Sequence, residues 1–67
     1  MRTLPPLYQV GQVLYMRRSV NKNLLRGARV KIKSVWNIVN GYRYEVEFAE
    51  EELDWCYEFD LTRKAPA

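Results

Sequence analysis

From Ala28 to Phe48 apolar and polar residues alternate with little interruption, and the alternation reverses about a single Asn-Gly pair. Val30 and Ile32 fall on one side of an extended chain, with Arg29, Lys31 and Lys33 on the other. Beyond Asn40-Gly41, Tyr42, Tyr44, Val46 and Phe48 alternate in the same way with Arg43, Glu45 and Glu47. A period of two is the spacing of a strand with one buried face, and Asn-Gly suits the two positive φ angles of a type I′ hairpin turn. An antiparallel hairpin is therefore expected here. Pairing about Asn40-Gly41 sets Val39 opposite Tyr42, Asn37 opposite Tyr44 and Val35 opposite Val46 on the inward side. Continued further, that register puts Lys33 opposite Phe48, a charge on the core face. One extra residue absorbed near Ser34 as a β-bulge removes the conflict, leaving Ile32 facing Phe48 and Lys33 facing Glu47.

The rest of the chain has to complete a core around this hairpin. Val13-Leu14-Tyr15-Met16 reads as a first strand ended by Arg17-Arg18, and residues 19–27 as a long loop that tucks Leu24 and Leu25 against the core. Residues 49–52 form an exposed acidic loop. Asp54 to Phe59 alternates again, with Trp55, Tyr57 and Phe59 on one face and Cys56 and Glu58 on the other. Asp60-Leu61-Thr62 then reads as a tight turn whose leucine plugs one end. With 67 residues the chain can bury only about 60% of its unfolded surface, yet 48% hydrophobic and 13% aromatic residues suffice for one core. A lone cysteine, Cys56, excludes an internal disulfide, so packing must supply the stability. The expected organisation is an extended N-terminal segment over residues 1–9, a single domain over 10–62 and a flexible basic tail over 63–67.

A long first loop, a tight hairpin and a late leucine-bearing turn give an all-β layout that resembles the SH3-like barrels. The pieces that carry the likeness are Val10-Gly11-Gln12-Val13-Leu14, Gly27-Ala28-Arg29-Val30, Tyr44-Glu45-Val46-Glu47-Phe48 and Tyr57-Glu58-Phe59-Asp60-Leu61. The resemblance implies a small SH3-like barrel of about five short antiparallel strands. Such barrels occur in KOW and Tudor domains, in small accessory subunits and in phage-encoded proteins, and fold does not choose among those uses. The paired tryptophans and groove motif of the Src-type peptide-binding domains have no counterpart here, and no family's site residues carry over.

The residue inventory excludes much chemistry. There is no histidine, which removes the usual general acid or base near neutral pH and the Ser-His and Cys-His nucleophilic pairs. Cys56 between Trp55 and Tyr57 reads as a packed strand residue. Glu50, Glu51, Glu52 and Asp54 lack the ligand spacing and glycine of a calcium loop, and Gly11, Gly27 and Gly41 are isolated, so no phosphate cradle exists. No catalytic, cofactor-binding or metal site is expected, and the protein reads as a non-enzymatic binding module. With no apolar run near the roughly 18 residues of a membrane span and no signal-peptide core, a cytoplasmic protein without a membrane partner is expected.

Charge is uneven along the chain. Residues 1–43 hold nine bases and no acid, whereas the remainder holds eight acids and two bases, so the halves carry +9 and −6. In one small domain these can neutralise each other across strands. Two binding readings follow. In the first, a larger protein partner docks on Trp36 and Ile38, which the bulged register turns outward beside Arg43, with the acidic residues Glu50, Glu51 and Glu52 as a rim. In the alternative, nucleic acid lies along Arg17, Arg18, Lys22, Arg26, Arg29, Lys31 and Lys33, with an aromatic stacked on bases. A methyl-lysine cage would require three or four aromatics to converge at one end. Oligomeric state stays open, since a free sheet edge can pair with a second copy.

Overall fold

The alternating segments are strands in the computed structural model, which describes residues 4–66. They are β1 (Val13–Met16), β2 (Arg29–Ile38), β3 (Gly41–Ala49), β4 (Glu52–Tyr57) and β5 (Leu61–Thr62), with a 3-10 turn, Glu58–Asp60, before the last. All ladders are antiparallel and the order is β4-β3-β2-β1-β5 in one five-stranded sheet. The protein is all-β. Among the described residues no helix is long and apolar enough to cross a membrane.

The sheet is not closed into a barrel by strand pairing, which corrects one expectation. No ladder joins β4 to β5 among the described residues, because β5 is two residues long and both pair with Tyr15 and Met16 of β1. The long loop docks on the free strand instead. The Asn21 and Asn23 side-chain amides donate to the Asp54 carboxylate on β4 at 3.0 and 3.5 Å. Asn21 also accepts the backbone N–H groups of Asn23 and Leu24, which fixes the turn that buries Leu24 and leaves Leu25 exposed.

The bulge lies where the alternation requires it, between Ile32 and Ser34. On one side of it Val30 and Ile32 face the core, and on the other Val35 does. Its partners differ from the expected ones, because Ile38 pairs with Gly41 and Val39-Asn40 forms the turn. Of Ile38, Val39, Asn40 and Gly41 only Gly41 has a positive φ, +140°, so the turn is not type I′ on Asn40-Gly41. The register is displaced by two residues, with Asn37 opposite Tyr42, Val35 opposite Tyr44, Ile32 opposite Val46, and Lys31 rather than Lys33 opposite Glu47. A displacement of two keeps every side chain on its expected face. It also brings Ile32 and Val46 together in the middle of the core and leaves Val39 at the solvated tip, 98% exposed.

Leu14 and Met16 from β1, Val30 and Ile32 from β2, Tyr44 and Val46 from β3, Cys56 from β4 and Leu61 from β5 fill the core, with Tyr8 and Leu24 closing it. At about 25 cal/mol per Å² of apolar surface removed from water, these side chains dominate stability. The N-terminal segment belongs to this packing rather than standing apart from it. Tyr8 is buried, its hydroxyl donates to the Leu61 carbonyl, and its N–H reaches the Tyr44 hydroxyl. The Leu7 N–H donates to Glu58 at 3.0 Å, and the Tyr42 hydroxyl donates to the Leu4 carbonyl. From the other end, Arg63 donates to the Leu7 carbonyl and lies over the Tyr8 ring, so the expected basic tail is anchored at its start. Residues 1–3 and 67 of the two terminal segments lie outside the described residues.

Candidate functional site

The outward face of β2, β3 and β4 carries the chemistry. Trp36, Arg43 and Tyr57 form one row across the three strands, and Ser34, Glu45 and Trp55 form the next. Trp36 is 54% exposed and is nevertheless held in place. Its indole N–H donates to the Ser34 hydroxyl at 3.1 Å, and that hydroxyl donates to Glu45 at 3.1 Å. The Trp36 ring meets Trp55 edge to face, with centroids 5.8 Å apart, a favoured geometry for aromatic pairs. The Arg43 guanidinium lies 4.5 Å above the Trp55 ring.

A second aromatic-cation group adjoins the first through Tyr57. Its ring stacks on Phe59 at 5.6 Å with the planes 5° apart, and Arg18 lies 4.8 Å over Phe59. Arg18 also donates to the buried Asp60 carboxylate at 2.6 Å, and the other Asp60 oxygen accepts the Tyr57 N–H at 2.9 Å. Arg18 is thus committed to the fold. Where the sheet meets the N-terminal segment, a groove of about 540 Å³ opens, bordered by Leu7, Arg17, Ile38, Tyr57 and Phe59. Its Glu58 carboxylate is occupied by the Leu7 N–H and the Tyr44 hydroxyl.

Of the residues expected to hold a protein partner, Trp36, Ile38 and Arg43 share this face, and Trp36 and Arg43 are cross-strand partners. Glu50, Glu51 and Glu52 do not join them. Glu50 and Glu51 form the β3-β4 turn and Glu52 opens β4 opposite Ala49, six residues along the strand from Arg43, which at about 3.4 Å per residue is about 20 Å away. The expected nucleic-acid residues are likewise divided. Lys31 is the cross-strand partner of Glu47, and Arg29 and Lys31 border a shallow hollow with Glu47 and Glu50. Lys33 stands exposed in the bulge, and Lys22 and Arg26 lie in the long loop. Arg17 borders the aromatic groove, away from the β2 lysines.

Trp55, Tyr57 and Phe59 complete the face, and the sequence reading left them unassigned to it. Alternation from Asp54 to Phe59 separates two sets of side chains without saying which is inward. The inward residue is Cys56, opposite Tyr44. Burial, and after it the nearby Asp60 and Asp54 carboxylates, push the Cys56 thiol up to about 12. It stays protonated at neutral pH and is no nucleophile there. Among the described residues no group of three or more His, Cys, Asp or Glu side chains could hold a metal ion.

No protein-family model matches the chain, and no curated protein or solved structure is significantly similar to it.

Proposed function

We propose that this protein is a non-enzymatic binding module that docks on a larger partner protein through the face built by Trp36, Ile38, Arg43, Trp55, Tyr57 and Phe59. The observation that carries this reading is the exposure of Trp36, held by its Ser34 hydrogen bond and its contact with Trp55, beside Arg43 and the Tyr57-Phe59 stack. Tyr57 and Phe59 are 44% and 57% exposed, so the face presents two large rings besides Trp36. Trp, Tyr and Arg dominate the energetics of protein interfaces, and a ring already held by its neighbours loses little further freedom on binding. We read the architecture as SH3-like: the strand order, the long first loop and the 3-10 turn before the last strand support that reading.

Nucleic acid is the second reading, favoured by the Arg43-Trp55 and Arg18-Phe59 stacks of this face, since single-stranded ligands bind on aromatic and Arg platforms. Salt separates the two. Mixed-sequence single- and double-stranded DNA and RNA are titrated at roughly 50 and 200 mM salt, where phosphate contacts reveal themselves. The docking reading expects weak binding at both, together with a protein captured by the wild type and lost with Trp36→Ala plus Tyr57→Ala. Tight binding that collapses at the higher salt, or capture indifferent to those substitutions, would refute it.

A further inference from the structure

Arg43 is in an unusual position for a surface cation. It is half-buried in the middle of β3, its Nε is shielded from solvent, and it has no hydrogen-bond acceptor or ion-pair partner among the described residues. Glu45, the adjacent carboxylate on the same face, accepts the Ser34 hydroxyl instead. A guanidinium carries five donors in a planar fork and stays charged at any ordinary pH. The Trp55 ring attracts it from one side but offers no acceptor in the plane of the fork. Its Nε has given up water without gaining an acceptor.

Around it the carboxylates are already engaged. Glu58 receives the Tyr44 hydroxyl and the Leu7 N–H, and Asp60 receives Arg18 and the Tyr57 N–H. The acidic turn is about 20 Å away by the strand rise. What the face leaves without an internal acceptor is therefore Arg43 at its centre, with Ile38, Tyr57, Phe59 and Leu7 as apolar ground between it and Arg17 at the groove.

The geometry points to an acidic peptide segment of the partner as the occupant, with one carboxylate seated on Arg43 between Trp36 and Tyr57 and apolar side chains running over Ile38 into the groove. This rests on the docking reading. A bidentate carboxylate matches the fork of an arginine, and isolated cations on apolar ground suit a peptide better than a continuous phosphate backbone, which needs a continuous cationic track.

The test is selection of a displayed library of random 12-residue peptides against the whole chain. Selected peptides are then measured by fluorescence anisotropy on the wild type, Arg43→Gln, Arg43→Lys and Trp36→Ala. Selected peptides are expected to be enriched in Asp or Glu flanked by apolar residues. Arg43→Gln is expected to weaken them at least tenfold and Arg43→Lys severalfold, since lysine keeps the charge and loses the fork. Changing the peptide's own acid to its amide is expected to cost a similar factor on the wild type and little more on Arg43→Gln. That arm leaves the protein intact and carries the test if Arg43→Gln does not fold. Neutral or basic peptides that still require Trp36 would overturn the acidic occupant and leave the docking reading standing. Peptides indifferent to both Trp36→Ala and Arg43→Gln, or no selected peptide at all, would overturn both. Displacement of the peptide by a single-stranded 12-nucleotide DNA at low salt would identify the anion as phosphate and overturn the proposal.

Discussion

Replacing Tyr44 by phenylalanine deletes one oxygen from the junction that ties the N-terminal segment to the sheet. Tyr44 is fully buried, and its hydroxyl donates to Glu58 at 2.6 Å while accepting the Tyr8 N–H at 3.4 Å. A hydrogen bond to a charged group contributes about 1.5–3 kcal/mol, and a buried N–H left without an acceptor costs about 1 kcal/mol or more. Two effects offset part of this. Phenylalanine has no hydroxyl to desolvate, and Glu58 keeps the Leu7 N–H at 3.0 Å. A net loss of about 2 kcal/mol is expected, which in a domain of this size lowers Tm by about 8–16 °C. Urea denaturation gives the free energy, and amide exchange locates it: protection at Leu7 and Tyr8 should fall before that of Val30, Ile32 and Val46. Glu58→Gln keeps an acceptor for the hydroxyl and is expected to cost less. A Tyr44→Phe variant within about 0.5 kcal/mol of wild type, with Leu7 and Tyr8 still protected, would refute the view that this hydroxyl anchors the segment.

Alkali should destabilise the protein through Cys56. Its thiol ionises near 9 when exposed and is pushed up to about 12 in the fold. The stability is therefore fully present below pH 9 and lost between pH 9 and 12, at a limiting slope of about 1.4 kcal/mol per pH unit for this one group. Cys56→Ala should flatten that part of a urea-midpoint profile, and an unchanged slope would count against the assignment. Burial and Glu58 raise Tyr44 as well, so Tyr44→Phe should remove a further part of the alkaline decline. Arg18→Ala leaves the Asp60 carboxylate, 1% exposed, without its 2.6 Å partner, and about 2–3 kcal/mol should be lost in denaturant titration. A loss below about 0.5 kcal/mol would show the pair to be dispensable. Glu51 is held at φ +59° in the β3-β4 turn, where a side chain costs about 1 kcal/mol or more. Glu51→Gly is accordingly expected to raise stability by about 0.5–1 kcal/mol, and a lowered urea midpoint would exclude strain at that residue.

The sequence alone determined the first four strands in outline, the inward residues of the hairpin from Val30 to Phe48, and the bulge beside Ser34, while it left the inward face of β1 open and read Leu61-Thr62 as a turn rather than as β5. The reason is physical: a period of two leaves one arrangement that keeps Arg29, Lys31 and Lys33 out of the core, so a single misplaced charge reveals the extra residue. It also placed Trp36 outward, by the same parity. Tertiary structure decided what local pattern leaves open. Parity is blind to a displacement of two, so the Ile38-Gly41 closure and the Lys31-Glu47 pairing depended on how Ile32, Val35, Tyr44 and Val46 fill a common interior. The face of β4 was equally undetermined, because Asp54 to Phe59 alternates either way. Cys56 faces inward opposite Tyr44, and Trp55 and Tyr57 stand outside against Arg43 and Trp36. The Arg18-Asp60 pair spans 42 residues of chain, and no local spacing announces a partner so distant. Composition counted Arg18 as a free cation and Arg43 as one among many. Folding paired the first with a buried carboxylate and left the second without an acceptor.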